Sequence, residues 1–429
     1  MAHDEAPGGR ELSSPVPRGQ AYARLMARLD SVRGLGVTLG LERVNDALAR
    51  LGHPESRVPA VQIAGTNGKG SCAAMTESIL RESGIRTGLF TSPHLLRFTE
   101  RIRVAGEEVD GDFLAGLDDA IVATGIPLSY FEIATVLTFR AFAELGVEIA
   151  VLETGLGGRL DATTACQPVA CAITTIGFDH EAMLGNTLTA IAHEKACIAK
   201  PGVPLFLGPL LGEAQASVER VAGRCHALVR RFGVDFPPAP CKPALLGRHQ
   251  ADNAAVAVAL AKTAANYLGR PLNAGAIEGG LSSVRWPGRL EAIGETLILD
   301  CAHNVEGAQA LAAALPGNPH RILVTSIVRD KDAAAMLAAW ASLFDEVVFT
   351  TSPSERSRSP ESLSALLGET RGGGRTVACI SDPREALTYA QRRAGGDGGL
   401  VVVAGSIFLV GILRNARAGQ LAEPSDPLP

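Results

Sequence analysis

Residues 61–72 read VQIAGTNGKGSC, and this stretch decides the fold of the first half of the chain. An apolar strand pattern runs into a glycine-rich segment, and SCAAMTESILRESG follows with a helical pattern that ends in glycine. The segment departs from the signature G-x-x-x-x-G-K-[ST] at two points: its first two glycines are only three residues apart, and Gly70 separates Lys69 from Ser71. Strand, loop and helix in this order still predict a phosphate-binding loop.

The residue types of the loop suit a nucleotide phosphate. Glycines let backbone N–H groups turn toward an anion, and the N-terminus of the following helix adds partial positive charge. The lysine reaches the outer phosphates, and the serine faces phosphate or Mg²⁺. The alternative is a glycine-rich turn with a chance lysine. The predicted ATP-binding residues of the loop are Gly65, Thr66, Asn67, Gly68, Lys69, Gly70 and Ser71.

Composition excludes several classes of protein. The net charge of -5 and the lack of a long basic run make nucleic acid an unlikely main partner. The N-terminus has no apolar signal-peptide core, and the longest apolar run, 400–413, is too short for a membrane span and contains Gly-Ser. Eight cysteines without a C-x-x-C pair fit reduced thiols. We expect a soluble cytoplasmic protein that contacts no membrane.

The strand and helix patterns predict an α/β protein with two domains. A length of 429 residues suggests two or three domains. Short, almost continuously apolar strands alternate with Ala/Leu-rich helices, which is typical of mostly parallel sheets buried on both faces. The rhythm restarts after the turn cluster Trp286-Pro287-Gly288. We therefore expect a phosphate-loop domain at 1–293 and a Rossmann-like α/β domain at 294–429.

Eight stretches give the chain a resemblance to a known family. The chain is similar to folylpolyglutamate synthase and the bifunctional dihydrofolate synthase of the Mur ligase superfamily, in family order from about residue 35 to residue 413. The resemblance implies an N-terminal ATP-binding domain, a C-terminal glutamate-ligase domain and an active site between them. The matching stretches are AGTNGKGSC, TSPHLLRFTERIRVAGE, LETGLGGRLDAT, HEKACIAKPGVP, VRWPGRLE, DCAHNVEGA, DKD and AGSIFLVG.

The resemblance implies metal ligands at Ser92, Glu153 and His180, and a second Mg²⁺ on a carbamylated Lys195. Glu153 ends a very apolar strand, where a carboxylate is costly to bury unless it meets a cation. Ser92 is equally well interpreted as a helix cap. His180 follows a buried strand, but imidazole is a soft ligand for Mg²⁺. Without the resemblance, Lys195 would be interpreted as a solvated or snorkelling lysine on a helix.

A further group connects the two domains. Asp300 ends the first predicted strand of the second domain, a natural ligand position, although it could instead cap the helix that follows. By resemblance, one set of residues contacts ATP and another lines the glutamate side, with Lys69, Lys195 and His303 as the catalytic residues. The ATP set is Asn253, Arg289 and Asp300, and the glutamate set is His303, Asn304 and Ser406.

The resemblance implies that three loops contact the pterin or the acyl substrate. The pair Tyr130 and Phe131 could flank a flat ring, and Glu132 could accept hydrogen bonds from it; alternatively the aromatics are core residues and Glu132 lies in the first turn of a helix. Arg159 and Asp161 could equally form a surface salt bridge. The predicted substrate residues are Val37, Thr38, Leu39, Ser129, Tyr130, Phe131, Glu132, Leu160, Asp161 and Ala162.

We therefore expect a monomeric ATP-dependent amide ligase. The resemblance implies that it adds L-glutamate to dihydropteroate, to the γ-carboxylate of folate, or to both, with ATP and two Mg²⁺ ions. A monofunctional folylpolyglutamate synthase remains an alternative, because Thr38 stands where bifunctional relatives often have an acid. A cell-wall Mur ligase would need a further N-terminal domain, and only about sixty residues precede the loop. A regulatory nucleotide-binding module would not need Asp300 and His303.

Overall fold

The structure is a computed structural model, and it describes residues 19–33, 40–315, 317, 320–369, 376–395 and 398–417. Strands β1 to β14 of the described chain are Ala60–Ala64, Thr87–Phe90, Ile102–Val104, Glu107–Glu108, Ile149–Glu153, Pro168–Ile173, Pro204–Leu207, Leu228–Arg231, Glu291–Ile293, Leu297–Leu299, Arg321–Thr325, Glu346–Phe349, Thr376–Cys379 and Leu400–Ala404. Helices α1 to α15 are Gln20–Arg33, Glu42–Arg50, Lys69–Glu82, Gly111–Ala123, Tyr130–Glu144, Glu181–Leu184, Leu188–Ala196, Gly212–Arg224, His249–Tyr267, Ala274–Ser283, Val305–Ala314, Ala333–Trp340, Pro360–Glu369, Pro383–Ala394 and Ile407–Arg417. Short 3₁₀ helices are Pro54–Ser56, Phe98–Arg101 and Ala162–Ala165.

The first sheet has eight strands in the order β4-β3-β2-β5-β1-β6-β7-β8. It is parallel except at one edge, where β3 runs antiparallel to β2 and β4. Helices cover both faces, so every residue of β1 is buried. Val61 and Ile63 pack against α3, α9 and α10, whereas Ala64 belongs to the core beneath α7 and α8. The predicted mostly parallel sheet with two covered faces is confirmed.

The second sheet has six strands in the order β13-β12-β11-β14-β10-β9. It is parallel apart from β9, which pairs antiparallel with β10. One core lies beneath α11, α12 and α13, and the other lies beneath α14 and α15. This confirms the predicted second α/β unit. Because β9 starts at Glu291, the second sheet begins slightly before residue 294, and the domain division at 293 stays a prediction.

Local sequence patterns missed four strands, β3, β4, β8 and β9. Strands β4, β8 and β9 lie at sheet edges and β3 lies next to an edge; all four are at most four residues long and include exposed or half-buried residues. The run 400–413 forms strand β14 and helix α15, as predicted. No helix within the described ranges combines the length and apolarity that crossing a membrane requires. All eight cysteines are free.

Candidate active site

The glycine-rich loop lies between β1 and α3 and is fastened to the chain that follows β6. The backbone N–H of Thr66 donates to Thr175 O at 2.8 Å, and the N–H of Asn67 donates to Thr175 Oγ1 at 3.0 Å. Gly68, directly before α3, has a φ of +85°, and a Cβ there would approach Asn253 Oδ1 to 2.5 Å. Only glycine meets both conditions without strain. The glycine at position 68 and the contacts with Thr175 thus position the loop between β1 and α3.

Two lysines donate to carbonyl groups of this loop. Lys69 Nζ lies 3.3 Å from Thr66 O, and Lys195 Nζ lies 2.8 Å from Gly65 O. Lys195 is only 4% exposed, so its interpretation as a solvated or snorkelling lysine is wrong. Burial, and next the positive charge of Lys69, lowers the pKa of Lys195 to about 7. A substantial fraction of this side chain is therefore a neutral amine at pH 7.

Ser71 is connected to α9 through a chain of side-chain amides. Gln250 Nε2 donates to Ser71 Oγ at 3.3 Å, and Asn253 Nδ2 donates to Gln250 Oε1 at 3.0 Å. All three residues are buried. Sequence analysis chose Asn253 and missed Gln250, although one helical turn separates them on the same face. The structure thus places the predicted residue Asn253 beside the loop.

Glu153 and Ser92 come together at the carboxyl ends of β5 and β2. The backbone N–H of Ser92 donates to Glu153 Oε2 at 3.1 Å. Glu153 is 5% exposed, and burial raises its pKa, although Lys69 opposes the shift. No helix begins at Ser92, because the 3₁₀ helix nearby starts at Phe98 after Arg97, so the interpretation of Ser92 as a helix cap is wrong. A buried, weakly satisfied carboxylate beside a hydroxyl suits a hard cation.

His180 follows β6 with a half-exposed ring and a φ of +52°. Asp179, which sequence analysis missed, carries most of the contacts of this segment. It forms an ion pair with Lys331 and accepts a hydrogen bond from Asn304 Nδ2 at 3.2 Å. Burial alone would raise the pKa of Asp179, but Lys331 and His180 bring it well below its usual range. Asp179 is therefore ionised at neutral pH.

The contacts of Asp179 cross from the first sheet to the second. Asn304 also donates to Asn67 Oδ1 at 3.0 Å, so the same amide reaches the phosphate loop. His303 Nε2 lies 3.9 Å from Asp179 Oδ2. Burial, and next the charge of Lys331, lowers the pKa of His303 to about 4, which leaves its imidazole neutral. The signal that could have found Asp179 and Lys331 is their position shortly after buried strands, like the residues that were chosen.

Asp300 follows β10 and fixes the backbone just before β9 and just after β10. Its Oδ2 accepts from Leu290 N at 2.8 Å and its Oδ1 accepts from Ala302 N at 2.9 Å. Asp300 does not cap the next helix, since Asn304 does so by accepting from Gly307 N. The alternative interpretation of Asp300 as the helix cap is therefore wrong. Ser406 is buried at the start of α15, at the end of the central strand β14.

The predicted pterin-side residues lie at the start of α5. Ser129 and Glu132 form a capping box, with the N–H of Ser129 donating to Glu132 Oε2 at 2.7 Å. Arg43 Nη2 donates to both Glu132 oxygens, at 2.9 and 3.0 Å. Glu132 thus lies in the first helical turn, as the structural alternative proposed, and a ligand contact stays a prediction. Tyr130 packs edge-on against Phe98, and Phe131 packs in a tilted arrangement against Phe90.

The other substrate loops are only partly described. Val37, Thr38 and Leu39 lie outside the described residues. Asp161 is buried and accepts from Gly155 N and Leu156 N, both at 2.9 Å, and from Thr163. Arg159 pairs with Glu194 instead, so the Arg159–Asp161 surface salt bridge is wrong. Half-exposed Leu160 and buried Ala162 flank this acid, and their substrate role stays a prediction.

The three predicted metal ligands are one hydroxyl, one carboxylate and one imidazole. Across the described ranges, no three His, Cys, Asp or Glu side chains group closely enough to hold a metal ion by themselves. A site here would therefore depend on Ser92, on ligand oxygens or on a modified Lys195. The buried carboxylate of Glu153, with one hydrogen bond and a raised pKa, fits such a cation.

The fold and this cleft define a two-domain α/β protein of the Mur ligase superfamily. In the second domain, residues 288–407 match the family "Mur ligase, glutamate ligase domain". The "Dihydrofolate synthase/folylpolyglutamate synthase" of Bacillus subtilis is 32% identical over 88% of this chain and 95% of that protein. The chain belongs to the folylpolyglutamate synthase/dihydrofolate synthase family.

Further relatives differ in length. The "Probable bifunctional folylpolyglutamate synthase/dihydropteroate synthase" of Haloferax volcanii is 36% identical over 92% of this chain, which spans only 50% of that protein. A second such protein, from Halobacterium salinarum, is likewise 36% identical over 91% of this chain and 51% of that protein. The chain thus spans about half the length of these two curated relatives.

Solved structures share the whole two-domain fold. Escherichia coli FolC in complex with DHPP and ADP superposes with a TM-score of 0.85 at 30% identity, over 94% of this chain and 99% of that chain. Mycobacterium tuberculosis folylpolyglutamate synthase complexed with ADP gives a TM-score of 0.86 at 29% identity, with the same coverage. The Yersinia pestis enzyme complexed with AMPPNP and Mn ion gives a TM-score of 0.79 at 29% identity, over 93% of this chain and 99% of that chain.

Proposed function

We propose that this protein is an ATP-dependent ligase that joins L-glutamate to dihydropteroate, to the γ-carboxylate of tetrahydrofolate, or to both. The observation that carries the proposal is the meeting of three groups in one cleft. The phosphate loop with Lys69 lies on one side, Glu153 with Ser92 lies beside it, and His303 with Asn304 faces it from the second domain. Relatives with ADP or AMPPNP bound support a nucleotide at the loop.

The chemistry requires activation of a carboxylate. A carboxylate is a poor acyl donor because oxide would have to leave, so the γ-phosphoryl group of ATP is first transferred to it. This gives an acyl phosphate and ADP. Lys69 lies at the N-terminus of α3 and offsets the charge that spreads over the transferred group. The amine of glutamate then attacks the acyl carbon, the amide bond forms, and phosphate leaves.

A divalent cation fits beside the loop. Glu153, Ser92 and His180 would hold Mg²⁺ there, and the ion would supply charge neutralisation for the phosphates when bound. The manganese ion in the Yersinia pestis complex supports a divalent site in the family. We also propose that Lys195 is carbamylated and holds a second Mg²⁺. Its depressed pKa supports this, because only the neutral amine reacts with CO₂.

The glutamate side of the cleft lies in the second domain. His303 Nδ1 is 2.9 Å from Cys301 O, a carbonyl that can only accept, so the ring proton resides on Nδ1. Nε2 is then free to accept a hydrogen bond from the attacking amine, beside ionised Asp179. Asn304 and Ser406 complete this side, and Asn253, Arg289 and Asp300 complete the nucleotide side. The proposed protein is a cytoplasmic monomer.

One experiment tests the function and separates its two forms. The purified protein is given ATP, Mg²⁺ and L-glutamate, with dihydropteroate or tetrahydrofolate in separate reactions, and ADP release is measured. We expect release that depends on glutamate with both acceptors. Release with tetrahydrofolate alone leaves a monofunctional folylpolyglutamate synthase. Release with neither acceptor contradicts the proposal.

A further inference from the structure

A cavity of about 240 Å³ opens between the two domains, beside Ser92 and Glu153. It is lined by Gly70 of the phosphate loop, and Asn253 is not part of its lining. A Cβ on Gly70 would lie 3.1 Å from Trp286 Nε1 and 3.4 Å from Glu153 Oε2, whereas a Cβ on Gly68 would approach Asn253. The cavity therefore adjoins the proposed phosphoryl-transfer position without being part of the Asn253 side of the nucleotide site.

Four guanidinium groups line this cavity, and two of them are already neutralised. Arg97 pairs with Glu108 at 2.7 Å, and Arg414 pairs with Glu291 at 2.9 Å. The remaining two arginines, Arg103 and Arg289, have no carboxylate within ion-pair distance in the described part of the chain.

The carboxylates at this cavity equal the guanidinium groups in number: Glu100, Glu108 and Glu153 line it, and Glu291 pairs with Arg414. The distinction between the arginines therefore rests on close contacts and not on net charge. Glu100 is occupied by the backbone N–H groups of residues 95 to 97, at 2.8 to 3.2 Å. Glu153 is the proposed metal ligand. Arg103 and Arg289 are thus the two lining cations that are left for a close, charge-assisted contact with a bound anion.

Arg103 is the more informative of the two free arginines. It lies at the centre of β3, where Ile102 and Val104 are buried in the core on one face and Arg103 points to the other. Its guanidinium carbon is 5.7 Å from the centroid of the Trp286 ring, which comes from the segment that leads into the second sheet. Its Nε is buried and has no hydrogen-bond partner in the described structure. A buried charged donor without an acceptor is costly unless a ligand supplies one.

We propose that Arg103, supported on Trp286, binds a carboxylate of the γ-glutamyl chain of the acceptor substrate. This inference rests on the proposed function and identifies which part of the acceptor the cavity recognises. A γ-linked glutamyl chain carries one free α-carboxylate per unit, and the planar guanidinium fork matches a carboxylate bidentately. Dihydropteroate has no glutamyl unit. Arg103 therefore favours acceptors that already carry glutamate.

The kinetic test compares Arg103→Met, Arg103→Lys and a matched control, Arg230→Met. Arg230 is a strand arginine in β8, at the opposite edge of the same sheet, and it is exposed. KM is measured for tetrahydrofolate, tetrahydropteroyl-triglutamate, dihydropteroate and ATP. Loss of one charge-assisted contact is expected to raise KM for both glutamylated acceptors roughly tenfold or more in Arg103→Met. KM for dihydropteroate and ATP should stay within about twofold, and Arg230→Met should match the wild type.

A binding test does not depend on turnover. Folate and pteroate differ only in the glutamyl unit, so calorimetric titration of the full-length wild type should show tighter binding of folate. Arg103→Met should lose this preference. If Arg103→Met does not fold, Arg103→Lys, which keeps the charge but not the planar fork, should still show a several-fold smaller preference.

The outcomes separate this inference from the proposed function. A rise in KM for ATP alone assigns Arg103 to a nucleotide phosphate and overturns the inference, as do unchanged values or an equal loss with every acceptor. In each of these cases the wild type still ligates glutamate, so the proposed function stands. A wild type that neither ligates glutamate nor binds folate more tightly than pteroate contradicts both.

Discussion

Glu153 ends β5 and Asp179 follows β6, the two strands that flank β1; both carboxylates are largely buried, but they are satisfied in opposite ways. Glu153 accepts one hydrogen bond, from Ser92 N, and burial raises its pKa. Asp179 pairs with Lys331 of the second domain, and its pKa is well below the usual range. Glu153 can thus bind a cation from solution, whereas Asp179 is already paired with the cationic side chain of Lys331. The first is suited to chemistry and the second to joining the domains.

The largest expected effect comes from Glu153. In Glu153→Gln the charge that would hold Mg²⁺ is lost, so kcat should fall roughly 10²–10³-fold and more Mg²⁺ should be needed for half-maximal rate. ADP release is measured against Mg²⁺ concentration. Glu148→Gln, at the exposed end before the same strand, serves as the control and should behave as the wild type. An unchanged Mg²⁺ titration would remove Glu153 from the metal site.

Breaking the Asp179–Lys331 pair tests the other half of the comparison. Both side chains are largely buried, so Asp179→Asn or Lys331→Met should each lower the free energy of unfolding by about 3 kcal/mol. The double variant should lose less free energy of unfolding than the sum of the two single losses. Each single variant leaves one buried charge without its partner, whereas the double variant leaves none. Urea unfolding measures the cycle. Arg270→Met, which breaks an exposed pair with Glu148, should cost at most about 1 kcal/mol. Additive losses would show that the pair does not join the domains.

Lys195 extends the comparison to a buried base. Its pKa is about 7 in the folded chain and about 10.4 when unfolded, so the unfolded state binds more protons between these values. The free energy of unfolding therefore falls as the pH decreases through this window and rises as the pH increases. We expect the urea midpoint of the wild type to rise relative to that of Lys195→Met between pH 7 and pH 9. The measurement uses CO₂-free buffer with a chelator. Parallel pH profiles would mean that Lys195 is not buried as an amine.

Sequence analysis succeeded where the signal is local. The phosphate loop, the strand leading to it and the helix after it are encoded within about twenty residues, and the alternative that placed Glu132 in a first helical turn was likewise local. Asp179 was missed because its partner Lys331 is 152 residues away and belongs to the other sheet. Lys195 was misinterpreted because a helical pattern alone does not reveal that this side chain is buried and donates to Gly65 O, 130 residues away. Long-range packing, rather than local propensity, determines the burial and the partners of Asp179 and Lys195.

A third buried acid, Glu132, provides the smallest expected effect. Both of its oxygens accept from Arg43, and Oε2 also accepts from Ser129 N, so it is satisfied within one domain. Arg43 is 33% exposed at its side chain, which limits the strength of the pair. Arg43→Met should therefore lower the free energy of unfolding by about 1 kcal/mol, measured by urea unfolding. In a Glu132→Gln background the same substitution should cost less, because a neutral amide gains little from the guanidinium. An equal cost in both backgrounds would show that Arg43 acts through packing of its stem rather than through Glu132.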